Sequence, residues 1–412
     1  MTGRNMQNAA DAAALAAATN GGANYDVEAK AVAAQYGFVD GANNITVAAS
    51  NTAACPGGGN TCYSVTISGA APLLVSQVVG YQGDTTLNGG AAKSLSSVAV
   101  AKAMVQPQPL CMVALASSGA SQAIRTNGSP VANLNGCNVM SNTAAQCNGS
   151  NLGAGLGLAH GSSNGCGVKS VSGVDTVADP YSSLASNIPP LSSSGWNGNY
   201  PQESRHGNAY SVATSNQLSG TLSLSAGNNF KCGDHMLTAD TVIDTGGTNA
   251  VLVIENGQLD LNGHSLTTTD GSAVTLVFSG SADSGGNHYT HAPTDNTNGS
   301  GGRLDLNAPT TGPWSGVAIY QDPSLTTGLD VAAAGNSPTW NISGLIYMPH
   351  SSVTLKGAVD KATHGHSCVV MIADNFIISG TAGILQTDIG QCPAQGLTMP
   401  TATLAARSAL VQ

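Results

Sequence analysis

The tripeptide Asp244-Thr245-Gly246, inside "VIDTGGTNAVLVI", has the form of an aspartic-protease turn, with an apolar pair leading into a carboxylate on a tight corner. Such enzymes use two carboxylates sharing one proton about 3 Å apart, because one group alone cannot both activate water and protonate the leaving group. The second candidate, Asp283-Ser284-Gly285, follows "SGSA" and lacks an apolar strand to hold it. A two-lobed protease is therefore disfavoured, and only a homodimer sharing two copies of Asp244 would restore the pair. Asp244 is read instead as a strand-to-turn junction. Ser163 in "GSSNG" formally matches G-x-S-x-G, but a nucleophile elbow needs a buried strand before it and a helix after it. The flanking "NLGAGLGLAH" and "CGVKSVSG" supply neither. "GAGLG" fails as a dinucleotide fingerprint, since His160 stands where the third glycine is required.

Two histidine pairs have metal-ligand chemistry. His288 and His291 lie in "GGNHYTHAPTDNTNG" with Asp295 nearby, and His364 and His366 lie in "KATHGHSC" beside Cys368. Both stretches read as exposed loops, where such imidazoles are solvated rather than ligating. "DNTNGSG" carries too few carboxylates for an EF-hand loop. The sequence thus predicts a non-enzymatic protein with no catalytic residue, no metal and no cofactor.

Nine cysteines in a chain with 8% charged residues point to disulfide chemistry in an oxidising compartment. Cys55 and Cys62 flank the turn-forming "PGGGNT", and Cys111/Cys137 and Cys368/Cys392 are further candidate pairs at loop-like spacings. Spacing does not fix connectivity, and an odd count leaves at least one thiol unpaired within the chain. No C-x-x-C and no cysteine–histidine cluster at finger spacing argues for zinc. A formal net charge of -10 and the lack of any Lys/Arg cluster argue against a phosphate-backbone partner, so no nucleic acid is expected.

The elements that would position these residues fall into an α+β, mostly β, chain. "GRNMQNAADAAALAAA" predicts a helix from about Arg4 to Ala18, because alanine has the lowest helix cost. Met6, Ala10, Ala13 and Ala17 share one nearly flat side, suited to close approach by another helix. "VEAKAVAAQYG" predicts a second helix with Gly37 at its C-terminal cap. "NITVAAS", "CYSVTIS" and "SSVAVAKAMV" alternate with period two as strands. Residues 1–105 then form a helical stem with a small α+β unit. Residues 106–186 form a cysteine-containing middle region in which "SNTAAQCNGS" has a helix N-cap at Ser141 or Asn142, and 187–229 is a linker. From 230 to 412 short strands are stopped by Asn-Gly and Ser-Gly corners, a pattern that fits either a β-solenoid or a sandwich. Leu259, Leu261 and Leu266 of "LDLNGHSL" are assigned to one interior.

The order of several stretches resembles a known family. "GRNMQNAADAAALAAA", "PLCMVALASSGASQAI", "NGCNVMSNTAAQ", "ADPYSSL", "WSGVAIYQDPS", "ISGLIYMPHSSVTLKG", "CVVMIADNFIISG" and a terminal "ALVQ" are similar, in sequence, to TadG-like (TadE/TadG) proteins of the tight-adherence Flp pilus system. That resemblance implies an exported, pilin-like subunit in the cell envelope, periplasmic or extracellular, that serves pilus assembly and surface attachment. In the family the alanine helix continues from a hydrophobic anchor, so membrane attachment would run through an anchor absent from this chain. The expected partners are other pilus-system subunits, or a second copy, docking on Met6, Ala10, Ala13 and Ala17, with a surface glycan as a further partner.

A rival reading comes from "LDLNGHSLTT", which resembles coils of β-helical polysaccharide lyases and adhesins. It implies a secreted glycan-binding or glycan-cleaving protein. Cleavage would need Lys231, Arg303, Lys356, Lys361 or Arg407 gathered in one cleft to stabilise an anion, so binding without cleavage fits the composition better.

Overall fold

The computed structural model describes residues 3–20, 24–56, 62–73, 80–117, 121–128, 131–149, 151–190, 214–280, 283–284, 287–288, 291–295, 302–331, 339–355, 358–360, 368–380, 383–384 and 388–411. The fold is mostly β with few helices and extensive parallel pairing. It divides into two units, one of residues 1–107 with 403–412, the other of residues 108–402. Residues 108–186 and 230–402, assigned to separate regions in the sequence, fall in one unit. The last ten residues return to the first. Within the predicted linker, Gln217–Ser223 and Gly227–Cys232 are strands of the larger unit, and 191–213 lie outside the described residues.

In the smaller unit, α1 (Gly3–Asn20) and α2 (Tyr25–Gln35) pack with an antiparallel sheet. Thr46–Ala53 pairs with Cys62–Pro72, which pairs in turn with Gly90–Ala114 in the register Val65↔Ala99 and Ile67↔Ser97. Thr401–Leu410 adds to the same long strand. α2 ends at Gly37, whose positive φ of 88° lets Phe38 N–H reach Ala33 O (3.0 Å) and Gly37 N–H reach Ala34 O (2.9 Å). Those two bonds satisfy helix carbonyls that would otherwise be orphaned.

The alanine stripe finds its partner inside this unit. Met6, Ala10, Ala13 and Ala17 are all 0% exposed, and Ala9, Ala14 and Ala18 are buried with them. They form one core with Ala29, Ala33, Phe38, Val65 and Ile67. The expectation that this stripe is a docking ridge for another subunit is thus corrected. Small side chains bring α1 close to α2 and to the sheet of the same chain, where close packing recovers in dispersion contacts what alanine lacks in area.

The larger unit is built from parallel ladders in which consecutive segments stack. One runs Gly227–Cys232, Asn249–Glu255, Ala273–Ser279, Val317–Gln321 and the strand Thr339–Leu355, in the register Leu252↔Leu276↔Ile319↔Ile346. The next step leaves sequence order. Ile346 pairs with Met371 of Val369–Gly380, Met371 pairs with Met112, and Met112 pairs with Val139. Residues 108–172 therefore continue the ladder that 217–380 build, joined through Met371↔Met112 and Phe376↔Ile124. A second ladder runs Gln217–Ser223, His235–Asp244, Ser265–Thr268, Arg303–Asn307 and again Thr339–Leu355.

Between the ladders lies a core containing Leu259, Leu261 and Leu266, all fully buried as the sequence expects. Asn262 and Gly263 turn the chain there with positive φ at both residues (48° and 77°) and His264 N–H bonded to Leu261 O at 2.8 Å. That is the type I′ geometry an Asn-Gly pair favours. At Gly257 an added Cβ would collide with the Gly233 backbone, so neighbouring turns approach through glycine. The helix predicted at "SNTAAQCNGS" does not form. Asn138–Ser141 and Ala145–Cys147 are strands of the parallel ladder, and Ser141 Oγ donates to Ala144 O (2.9 Å) to tighten the turn between them.

Disulfides join Cys55–Cys62, Cys111–Cys137 and Cys368–Cys392, the three pairs named from the sequence, and Cys147–Cys166, which was not named. Cys232 is a free thiol. Four such bonds suit an oxidising environment outside the cytoplasm. Among the described residues no helix is long and apolar enough to cross a membrane.

Candidate functional site

The parallel ladder places aromatic side chains side by side. Tyr320 and Tyr347 are register partners on adjacent strands, so their rings stack with centroids 5.0 Å apart and planes 14° from parallel. Their neighbours Ile319 and Ile346 point the other way, into the core between the ladders. Trp314 meets Tyr320 edge-on at 4.8 Å, and Tyr181 meets Tyr347 edge-on at 6.3 Å. Edge-on and offset contacts suit ring quadrupoles and add about 0.5–1.5 kcal/mol per pair beyond burial.

Tyr181 comes from a distant segment, 174–190, strapped along the outer face of this ladder. Its start is tied by Val174 N–H to Ala159 O and by paired bonds between Asn142 and the Val177 backbone, both at 2.8 Å. In the middle, Tyr347 Oη donates to Asp179 Oδ2 at 2.5 Å, and Tyr181 Oη donates to Thr398 O. Further along, Asn187 Nδ2 donates to Pro313 O at 2.8 Å. Burial, and then the hydrogen bond to the Asp179 carboxylate, raise the Tyr347 hydroxyl far above the ordinary phenol range. Burial raises Tyr181 and Tyr320 as well. All three phenols stay protonated; Tyr347 and Tyr181 donate, whereas the buried Tyr320 Oη has no hydrogen-bond partner among the described residues.

Beyond Trp314 the row opens into a groove of about 430 Å³. Asn228 and Asn249 stand at the starts of two paired strands, Val251 is the register partner of Asn228, and the turn 309–314 with Trp314 also lines the groove. Asn249 Nδ2 holds that turn by donating to Thr311 O (3.2 Å) and Thr311 Oγ1 (3.1 Å). The groove combines amides, one hydroxyl, one aromatic residue and two prolines, with no charged side chain among the described residues that line it. That set of amides, a hydroxyl and an indole can bind neutral polar matter.

The residues singled out by sequence lie elsewhere and do not converge. Asp244 is exposed at the end of its strand, and its Oδ1 accepts from Gly246 N–H (2.9 Å), a turn-closing role. Ser163 Oγ donates to Gly157 O at 2.7 Å within short strands, without the strand–helix elbow. His291 corrects the exposed-loop reading: it is fully buried, with Nδ1 3.3 Å from Thr327 Oγ1 and its carbonyl accepting from Gln321 Nε2. Asp295 accepts from the Gly263 and Gly302 amides and so braces two turns. The side chain of His288, and His364 and His366 altogether, lie outside the described residues. Among the described residues no group of three or more His, Cys, Asp or Glu is placed to hold a metal ion. Arg303, one of the cations a lyase would need, is paired with Asp305 of its own strand at 2.6 Å.

Sequence reasoning missed the aromatic row, although a signal exists. Only 4% of residues are aromatic, yet "VAIY" and "GLIY" repeat one pattern ending in tyrosine. In a parallel ladder, such repeats align like side chains on the same face.

Residues 198–371 match a family described as "Domain of unknown function (DUF7305)". No curated protein and no solved structure matches the chain.

Proposed function

We propose that this chain is a non-enzymatic, exported cell-envelope protein, a subunit of a pilus-type apparatus of the tight-adherence kind, that contributes to assembly and surface attachment. In this reading the helix-on-sheet unit is the pilin-like mount. The parallel-stacked unit, taken as a β-solenoid, is the body displayed to the surroundings. One observation carries it: the larger unit is inserted within the chain of the smaller, leaving at Pro107 and returning at Thr403 into a strand that pairs with the one it left. An insertion of that kind elaborates a helix-on-sheet scaffold without breaking it. Four disulfides support an exported location, and a groove whose described lining residues are uncharged supports binding.

Since Met6, Ala10, Ala13 and Ala17 are covered, assembly contacts on α1 would fall on its outer side, which carries Asn8, Ala12 and Ala16. Fractionation of the native host tests the proposal. The protein should be found in the envelope or filament fraction, and its deletion should reduce surface filaments or attachment. A cytoplasmic protein, or a deletion strain with unchanged filaments and attachment, overturns it.

A further inference from the structure

The groove beside Trp314 has a composition that selects its ligand. Its polar groups are amides and a hydroxyl: Asn187, Asn228, Asn249 and Thr311. Its apolar surface comes from Trp314, Pro309, Pro313 and Val251. A carboxamide offers a donor and an acceptor a short distance apart, the same pair that vicinal hydroxyls of a sugar ring present in complement. An aromatic and proline wall suits the C–H face of that ring, where water is poorly bound. Among the described residues, no Lys, Arg or His lines the groove to attract an anion, and no Asp or Glu to attract a cation. The net charge of -10 further disfavours acidic polymers.

From this juxtaposition we propose that the groove is a binding site for a neutral saccharide. Asn228 and Thr311 are the principal ligand-facing polar groups, and Trp314 is the stacking wall. The volume of about 430 Å³ lies within the range of small-molecule sites and accommodates a short stretch of glycan. Two walls come preformed. Asn228 and Asn249 sit on hydrogen-bonded strands, and the 309–314 turn is pinned by Asn249 and by Asn187. Trp314 is itself wedged against Tyr320, so the aromatic wall does not have to be ordered when ligand arrives. This inference extends to the nature of an attachment target and stands whether or not the protein serves a pilus.

The test uses the intact protein with neutral disaccharides of glucose, galactose and mannose, observed by saturation-transfer NMR and by titration calorimetry, alongside a uronic-acid disaccharide. Saturable binding of at least one neutral sugar is expected. Asn228→Ala should weaken it about 3- to 10-fold, the loss of one hydrogen bond, with the melting temperature unchanged because Asn228 is exposed. Trp314→Phe, which keeps an aromatic ring against Tyr320, should weaken it while preserving the fold. Absence of binding to every neutral sugar overturns the proposal, as does binding only to the uronic acid. Binding that both variants leave unchanged overturns it as well.

Discussion

The hydroxyl of Tyr347 donates to the carboxylate of Asp179 across 168 residues of sequence, and this bond fastens the 174–190 segment to the middle of the parallel ladder. Tyr347 is fully buried, while Asp179 is half-buried, so the bond forms where water is largely excluded. Hydrogen bonds to charged groups in such places are stronger than neutral ones.

Tyr347→Phe should therefore destabilise the protein by about 1.5–3 kcal/mol, measured by denaturant unfolding. Asp179→Asn should cost less, and the double variant little more than Tyr347→Phe alone, because both act on one bond. Limited proteolysis should show earlier cleavage between 174 and 190 in each variant. Equal and additive losses would mean that the two residues act independently.

His235 gives the fold an acid limit. It is buried at 3% exposure with Nδ1 donating to Gly233 O (2.9 Å), and burial pushes its pKa down to about 4 from 6.5. Between those values the unfolded chain binds a proton that the folded chain refuses. Stability should then fall as pH drops from about 6.5 to about 4, by up to about 3 kcal/mol. His235→Gln should flatten that part of the profile, and an unchanged slope would remove His235 as its cause.

Cys232 should be a slow thiol. Burial, a 3.4 Å hydrogen bond to Glu255 Oε2 and the charge of that carboxylate push its pKa up to about 11. Alkylation of the native protein should be sluggish near pH 8 and accelerate toward about pH 11, since the thiolate is the reactive form. Glu255→Gln should speed labelling at the lower pH. Rapid labelling of the unaltered protein at neutral pH would contradict this environment.

The bond between Cys147 and Cys166 closes a loop of sequence separation 19 and ties the strand Ala145–Cys147 to the turn that follows its ladder partner Ser163–Asn164. Replacing both cysteines by serine should cost about 3 kcal/mol by loop-closure entropy. Calorimetry of the double variant against the parent measures it. An unshifted transition would mean that the parallel pairing alone holds this end of the stack.

Ala13→Leu should destabilise the smaller unit by about 1–3 kcal/mol or more, because Ala13 is fully enclosed and three extra carbons have no space there. A thermal melt of the full chain reads the loss. An undiminished melting temperature would mean that the helix can move outward to accommodate the leucine, and the tight α1 packing would then be relaxed.

The sequence by itself determined what is local. Alanine density set α1, Gly37 set the end of α2, and period-two alternation set the strands of the antiparallel sheet, one face of which meets the helices. Asn262-Gly263 set its turn, and close cysteines such as Cys55 and Cys62 found each other across a short loop. Only the tertiary structure decided which faces meet. Residues such as Val253, Val277, Tyr320 and Ile372 are buried on the ladder side opposite the core residues Leu252, Leu276, Ile319 and Met371, so both faces are apolar and the runs lose the alternation that would reveal register. The joining of Met371 to Met112 is a non-local pairing that no local propensity encodes. The same holds for the alanine stripe, whose flatness announces a close neighbour without saying that the neighbour is this chain, and for His291, whose polar surroundings in sequence conceal its burial in space.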